Sequence, residues 1–270
     1  VALSGAGANA TNIVNNKVQA YVDNSLSVTA AQNVVVHATS TAAVTSLVGA
    51  AAASVGIGTT FAASGAIGVA LARNLIGFES HDQDTRTENA SQVLAYISNS
   101  GVTATDGYFE VHATSNDTVA ADAFAGSVAI SVGASGFAGA GAGVEVTNRL
   151  GTEVQAFVKD SDVTVNDSDV TTVNVDDGNM DIQAISSSQI TKANATGVAV
   201  AAVIAPEGVA ISIAASIVDN RIVNKVDAFI AGTAEHEINV AGIVKVLADA
   251  TQANISNTNA VTASVSIGLV

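Results

Sequence analysis

Apolar and polar or small residues alternate along most of this chain with a period of two. Val209, Ile211 and Ile213 fall on one face of their segment, and smaller residues fall between them. A period of two places successive side chains on opposite sides of an extended backbone, so the pattern predicts β-strands and not helices. Turn signals such as Asp106-Gly107 and Asp177-Gly178 stand where these strands are expected to end.

The strand-like segments recur four times along the chain. A motif of Val-x-Ala-aromatic-aliphatic carries its aromatic residue at Tyr21, Tyr96, Phe157 and Phe229. An Asn precedes each copy, at Asn12, Asn74, Asn148 and Asn220. A second motif follows each copy and ends in Ala38, Ala113, Ala184 or Ala248.

These spacings define a basic unit of 62 residues, the distance from Asn12 to Asn74. The units run over residues 12–73, 74–147, 148–219 and 220–270, and the last one is incomplete. Insertions at 77–92 and 160–179 lengthen the second and third units. Because the array stops within a unit at both ends, we expect residues 1–270 to be one continuous repeat array cut from a longer protein.

Two all-β architectures fit this repetition. One is a repetitive β-solenoid rod, in which about three coils of about 20 residues make one unit and each coil hydrogen-bonds to the next. The alternative is an elongated two-sheet β-sandwich of hairpins, which the Asp-Gly dipeptides favour. Open-ended repetition and insertions confined to loops favour the solenoid, which is the predicted fold. The Gly-Ala alternation at residues 139–143 is silk-like and would let sheets stack closely.

Composition and charge exclude several partners. Charged residues make up only 12% of the chain, against about 25% in ordinary soluble domains, and the net charge is −15. Phosphate binding needs clustered Lys and Arg, so we expect no nucleic-acid partner. The chain has no Cys and therefore no disulfide framework. The most apolar segment, residues 198–218, is interrupted by Pro206, Glu207 and Gly208, so we expect no membrane insertion.

The repeated residues invite a structural interpretation first. One Asn in every unit fits a stacked, hydrogen-bonded ladder or a corner better than an active site. The aromatic residues of the first motif can fill the core or form a carbohydrate-stacking row. Two of the four are Phe and all have apolar neighbours, which favours the core.

Metal binding has two candidates in the sequence. The insertion at 160–179 holds six carboxylates, and calcium takes six to eight oxygen ligands. These candidate calcium ligands are Asp160, Asp162, Asp167, Asp169, Asp176 and Asp177. No EF-hand pattern accompanies them, and a solvated loop is the alternative.

His37 and His112 occupy equivalent positions opposite the apolar face. The other two units have Gln183 and Leu247 at this position, so a solvated strand face is favoured over a metal-binding pair.

Catalytic signatures are absent from the sequence. It contains no P-loop, no G-x-G-x-x-G and no G-x-S-x-G. We therefore predict that the chain is not an enzyme, with a polysaccharide-acting β-helix enzyme as the least favoured reading.

The repeated segments resemble a known class of proteins. The Asn, the V-x-A-[YF]-[VI] motif, the V-x-V-x-A-T-S motif and the Gly/Ala/Val alternation are similar to the β-strand repeats of giant secreted or surface proteins of Gram-negative bacteria, in the style of filamentous-haemagglutinin-like adhesins. The resemblance covers nearly the whole chain and carries over no catalytic residues.

What the resemblance implies is a structural role outside the bacterial cell or on its surface. We expect a module of an extracellular fibre, matrix or giant adhesin that self-associates through β-stacking. The alternative is an adhesin module that binds a glycan or a cell-surface protein through the loops at 77–92 and 160–179.

Overall fold

The computed structural model describes residues 1–82, 85, 87–88, 91–167, 178–232 and 235–267. These residues form nineteen β-strands, and no helix occurs among them. The strand from Ala43 to Ile57 buries every second side chain along its whole length. The all-β prediction is therefore confirmed, and the period of two in the sequence is the period of burial in the structure.

The strands fall into sets that hold the same segment of successive units. The first set is β1 (Ala2–Val14), β6 (Phe61–Ile76), β11 (Ser135–Leu150) and β15 (Glu207–Ile222). The second is β2 (Lys17–Asp23), β7 (Gln92–Ser98), β12 (Glu153–Lys159) and β16 (Lys225–Ala231). The third is β3 (Val28–Ala30), β8 (Gly101–Ala104), β13 (Asp162–Val165) and β17 (Ile238–Val240). Each of these sets forms one sheet.

The fourth sheet is larger because it combines two segments of every unit. It holds β4 (Val34–Ser40), β5 (Ala43–Ile57), β9 (Phe109–Ser115), β10 (Thr118–Val132), β14 (Met180–Ile204), β18 (Val244–Asn254) and β19 (Asn257–Ile267). The long strand β14 spans both segments: its first half pairs with β9 and β18, and its second half pairs with β10 and β19.

All strand pairings between described residues are parallel, and each joins a strand to its equivalent in the next unit. Asn12 lies opposite Asn74, Asn74 opposite Asn148, and Asn148 opposite Asn220. The antiparallel hairpins of the alternative sandwich do not occur among these strands. The expected coils of about 20 residues are also wrong, because a strand meets its hydrogen-bonding partner only after a whole unit, 62 residues later for Asn12 and Asn74.

Each unit contributes to two separate hydrophobic cores. We call the first region the arm: β1, β6, β11 and β15 pack face to face against β5, β10, the second half of β14, and β19. We call the second region the body: the second and third sheets enclose a core with β4, β9 and the first half of β14. The body core contains Val, Ile, Phe and Met side chains, whereas the arm core is mostly Ala and Val.

Small side chains let the two sheets of the arm approach closely. A Cβ atom placed on Gly68 would lie only 2.6 Å from the backbone oxygen of Gly126 in the facing sheet. No side chain fits at that distance, so glycine is required there. The Ala-rich composition, which predicts a shallow core, is the composition that this thin two-layer arm needs.

Candidate functional site

A ladder of asparagine side chains crosses the first sheet of the arm. Nδ2 of Asn12 donates to Oδ1 of Asn74 at 2.9 Å, and Asn74 donates to Asn148 at 3.1 Å. Asn148 donates to Oδ1 of Asn220 at 2.9 Å. Asn74 and Asn148 are fully buried. The parallel register thus brings together all four predicted Asn residues, and each amide satisfies the next one.

The same ladder also ties the two sheets of the arm to each other. Nδ2 of Asn74 reaches Oγ of Ser46 at 3.0 Å and the carbonyl oxygen of Ala120 at 3.1 Å, both in the facing sheet. Nδ2 of Asn220 makes equivalent contacts with Oδ1 of Asn254 and the carbonyl oxygen of Ile255. The repeated Asn is therefore a structural residue that joins units along the sheet and joins layers across the core.

The four aromatic residues form a stacked row on the outer face of the body. Ring centroids lie 5.2 Å apart for Tyr21 and Tyr96, and 4.9 Å apart for both Tyr96–Phe157 and Phe157–Phe229. Tyr21 is 58% exposed. The expectation that these rings fill the core is wrong, because the strand alternation gives the inward positions to their Val and Ala neighbours. The row also offers little to a sugar, since the ring faces that would stack on it contact each other.

A buried carboxylate at the border of arm and body joins strands β4 and β9 to two of the segments that connect strands. Asp117 is fully buried. Its Oδ1 accepts hydrogen bonds from Oγ of Ser40 at 3.0 Å and from the backbone N–H of Ala42 at 2.9 Å. Its Oδ2 accepts from Oγ of Ser115 at 2.7 Å and from Oγ1 of Thr152 at 2.8 Å. Sequence reasoning missed this residue, although an Asp in the position held by Ala42 one unit earlier was a visible signal.

Two imidazoles and two carboxylates meet on the outer face of β4, β9 and β14. The rings of His37 and His112 stack with centroids 4.7 Å apart. Nε2 of His37 lies 3.1 Å from Oε2 of Glu110, and Nε2 of His112 lies 3.6 Å from Oδ2 of Asp181. Burial lowers the pKa of His112 below its ordinary value, against the opposing pull of the carboxylates of Glu110 and Asp181. The neutral imidazole is thereby favoured.

Glu110 and Asp181 were not among the sequence candidates. Each precedes the histidine position of its own strand by two residues, which puts it on the same face. The second motif of the second and third units thus contained the signal, but only the strand register shows which carboxylate meets which ring.

The structure describes three of the six carboxylates predicted to bind calcium. Asp160 is in the left-handed region, with a φ of 45°, where Asp and Asn are tolerated better than most residues. Oδ1 of Asp162 accepts a hydrogen bond from the backbone N–H of Glu237 at 2.9 Å, and Asp167 is exposed after β13. Within the described residues these three do not converge as metal ligands. Asp169, Asp176 and Asp177 lie outside the described residues.

Both outer faces of the arm are apolar and exposed. No charged residue occurs from 43 to 72 or from 123 to 144, and only Glu207 occurs from 193 to 218. On the first sheet the exposed large side chains are Leu3, Ile13, Phe61, Ile67, Val69, Phe137, Val209, Ile211, Ile213 and Ile217. On the other sheet they are Leu47, Val55, Ile57, Phe124, Val128, Val261, Val265 and Ile267. Apolar patches of this extent on a protein surface mark interaction sites.

Comparisons with known proteins found no match to this chain among family models, curated proteins or solved structures. In the part of the chain that the structure describes, no helix has the length and hydropathy needed to cross a membrane.

Proposed function

We propose that this chain is a segment of a β-solenoid rod that serves as a structural module of an extracellular fibre, matrix or giant adhesin. The observation that carries the proposal is the register. Whole units lie side by side in parallel, so that the same Asn and the same aromatic residue meet at every step. Repetition of this kind extends a fold along one axis, with each unit contacting only its neighbours.

Open sheet edges support growth along that axis. Strands β1 and β15 are the two outer strands of the first sheet, and β2 and β16 are those of the second. An outer strand presents unpaired backbone N–H and C=O groups to any strand of matching register. A further unit, from the same polypeptide or from a second copy, can pair there with the hydrogen bonds that the inner units already make.

The apolar outer faces of the arm support lateral association between copies. A face four strands wide and about 11 residues long covers about 700 Å², from about 4.8 Å between strands and about 3.3 Å per residue. Two such faces packed together would bury about 1,400 Å² in total, which is within the size range of stable specific interfaces. We therefore take the second copy of this chain as the partner of this surface.

The relief of the first outer face fits sheet-on-sheet packing. Gly139 and Gly141 lie on the floor of a groove, with Ile67 on one side and Ile211 and Ile213 on the other. The ridge of one copy can enter the groove of another if the two faces meet about a two-fold axis. The silk-like Gly-Ala alternation thus supports close stacking between rods.

An extracellular, bacterial location belongs to the same proposal. The acidic chain without Cys, together with the repeat resemblance, supports export to the cell surface or matrix. Its net charge of −15 also disfavours nucleic acid as a partner.

Electron microscopy and sedimentation velocity over a range of concentrations test the proposal. We expect rods that lengthen with concentration and then associate side by side. The variant Ile213→Asp, which places a charge on a side chain that is 66% exposed, should leave rods but remove lateral association. The matched control Thr39→Asp, at an exposed position of the body, should behave like the parent chain. Compact single particles at every concentration would contradict the proposal.

A further inference from the structure

Three metal-binding side chains converge at one place on the outer face of the body. Nitrogen atoms of His37 and His112 and a carboxylate oxygen of Glu110 all lie within 4.8 Å of one another. His37 lies on β4, and Glu110 and His112 lie two residues apart on β9. The parallel register places His37 directly beside His112, so the two imidazoles and the carboxylate project from the same face.

One donor atom in this cluster has no hydrogen-bond partner. Nε2 of His112 is buried and unpaired among the described residues. Its distance of 3.6 Å from Oδ2 of Asp181 is too long for a hydrogen bond. That carboxylate is already held by Lys245 at 3.4 Å and by Gln183. A buried imidazole nitrogen without a partner costs free energy unless something else binds it.

We propose that His37, Glu110 and His112 bind a divalent transition-metal ion of the Zn²⁺ type. Two imidazoles and one carboxylate are ligands that Zn²⁺ accepts, at about 2.0–2.2 Å from the metal. Tetrahedral geometry at those lengths requires donor atoms about 3.3 Å apart. The two imidazole rings are parallel here, so metal binding requires at least one ring to turn until both nitrogen lone pairs face the ion. The side chain of His37 is 45% exposed and has room on the solvent side for this turn.

The donor set also separates this site from calcium chemistry. Calcium takes six to eight oxygen ligands, whereas two of the three donors here are nitrogen. The next two units place Gln183 and Leu247 at the histidine position, so the site is confined to the first two units. A metal bound there would link β4 to β9 and thereby clamp one unit to the next.

Titration of the purified chain with ZnCl₂ in excess CaCl₂ tests the site, followed by calorimetry and by thermal unfolding. We expect one saturable equivalent of Zn²⁺ and a rise in melting temperature on loading. His37→Ala, His112→Ala and Glu110→Gln should each weaken binding by more than about tenfold and abolish the rise. Titration with Co²⁺ should give the visible absorption of a tetrahedral site in the parent chain but not in these three variants.

His81→Ala and His236→Ala are the matched controls. Each of these histidines lies beside one carboxylate, Asp82 and Asp162 respectively, and neither belongs to the cluster. Both variants should bind Zn²⁺ like the parent chain. The proposal is overturned if the parent chain shows no saturable binding, or if the His37 and His112 variants, with parental circular dichroism, bind Zn²⁺ as tightly as it does.

Discussion

The asparagine ladder gives the sharpest test of how the units are held together. Asn74 accepts one hydrogen bond from Asn12 and shares its two amide hydrogens among Asn148, Ser46 and the carbonyl of Ala120. Asn74→Ala removes all of these contacts at once. It leaves Oδ1 of Asn148 and the amide of Asn12 without this partner. Asn74 and Asn148 are fully buried, so water does not replace the lost hydrogen bonds there.

The magnitude follows from these contacts. A net hydrogen bond contributes about 1 kcal/mol, and a buried polar atom left without a partner costs about 1–3 kcal/mol. One accepted hydrogen bond and the bonds of two amide hydrogens make three bonds lost, and at least one buried acceptor is left without a partner. We therefore expect Asn74→Ala to lower the free energy of unfolding by about 4 kcal/mol. Asn74→Asp should cost more, because one carboxylate oxygen would then face the acceptor atoms of Asn148 and Ala120.

Denaturant unfolding followed by far-ultraviolet circular dichroism measures this change, with the slope m as a check that the same surface is exposed. Asn9→Ala is the matched control, because Asn9 is exposed on the same strand as Asn12 and should change stability by less than about 0.5 kcal/mol. If Asn74→Ala lowers the free energy of unfolding by less than about 1 kcal/mol, the ladder contributes no more than a surface contact and does not hold the units together.

Three further predictions concern carboxylates. Asp117→Ala should destabilise the chain by about 3 kcal/mol in the same assay, because four donors lose a fully buried acceptor; a neutral result would show that the network is dispensable. The hydrogen bond from Arg149 lowers the pKa of Asp219, so the stability that this pair provides is present above the ordinary pKa of 3.8 and is lost as the pH falls below it. Urea titrations at a series of pH values should therefore show a smaller loss of unfolding free energy at acid pH for Asp219→Asn than for the parent chain. Asp160 has a left-handed backbone conformation, so Asp160→Gly should keep the parental melting temperature. Asp160→Val should lower the free energy of unfolding by about 1–2 kcal/mol and lower the melting temperature; equal melting temperatures for the two variants would argue against a left-handed conformation at this residue.

The strands and the repeat could be predicted from the sequence because they depend on local periodicity. Alternation with a period of two marks the strands, and the spacing from Asn12 to Asn74 marks equivalent positions. Both patterns can be found in the amino-acid sequence without a structure. The alternation does not say which face is buried, because Ile211 and Ile213 are exposed while the smaller Ala210 faces the core. The confirmed all-β class and the meeting of equivalent residues in the register follow from these two patterns.

Two features could not be predicted in the same way: the number of residues between paired strands, and the face of the strands on which the aromatic rings lie. A unit of 62 residues accommodates several short coils as well as one long one, and only the pairing partner of each strand distinguishes them. Tyr21 and its equivalents looked like core residues because their neighbours are apolar. The inward positions of that strand belong to Val18, Ala20 and Val22, which a thin sheet packs more easily than a ring.

The hydrogen-bonded carboxylates and the histidine cluster arise from contacts between units, so the sequence shows their residues but not which of them meet. Asp117 contacts Ser40, Ala42 and Thr152, which are distant in sequence. Glu110 approaches His37 across 73 positions. Such contacts depend on strand register, and no sequence motif encodes them.

Cryo-electron microscopy of the purified chain with helical reconstruction measures how far each unit advances along the rod. We expect rods in which each unit advances by one strand spacing, about 4.8 Å, so that successive Asn and aromatic positions lie directly above one another. An advance of about 14 Å per unit, equal to three strand spacings, would be incompatible with one coil per unit, and compact particles that never extend into rods would be incompatible with a solenoid rod.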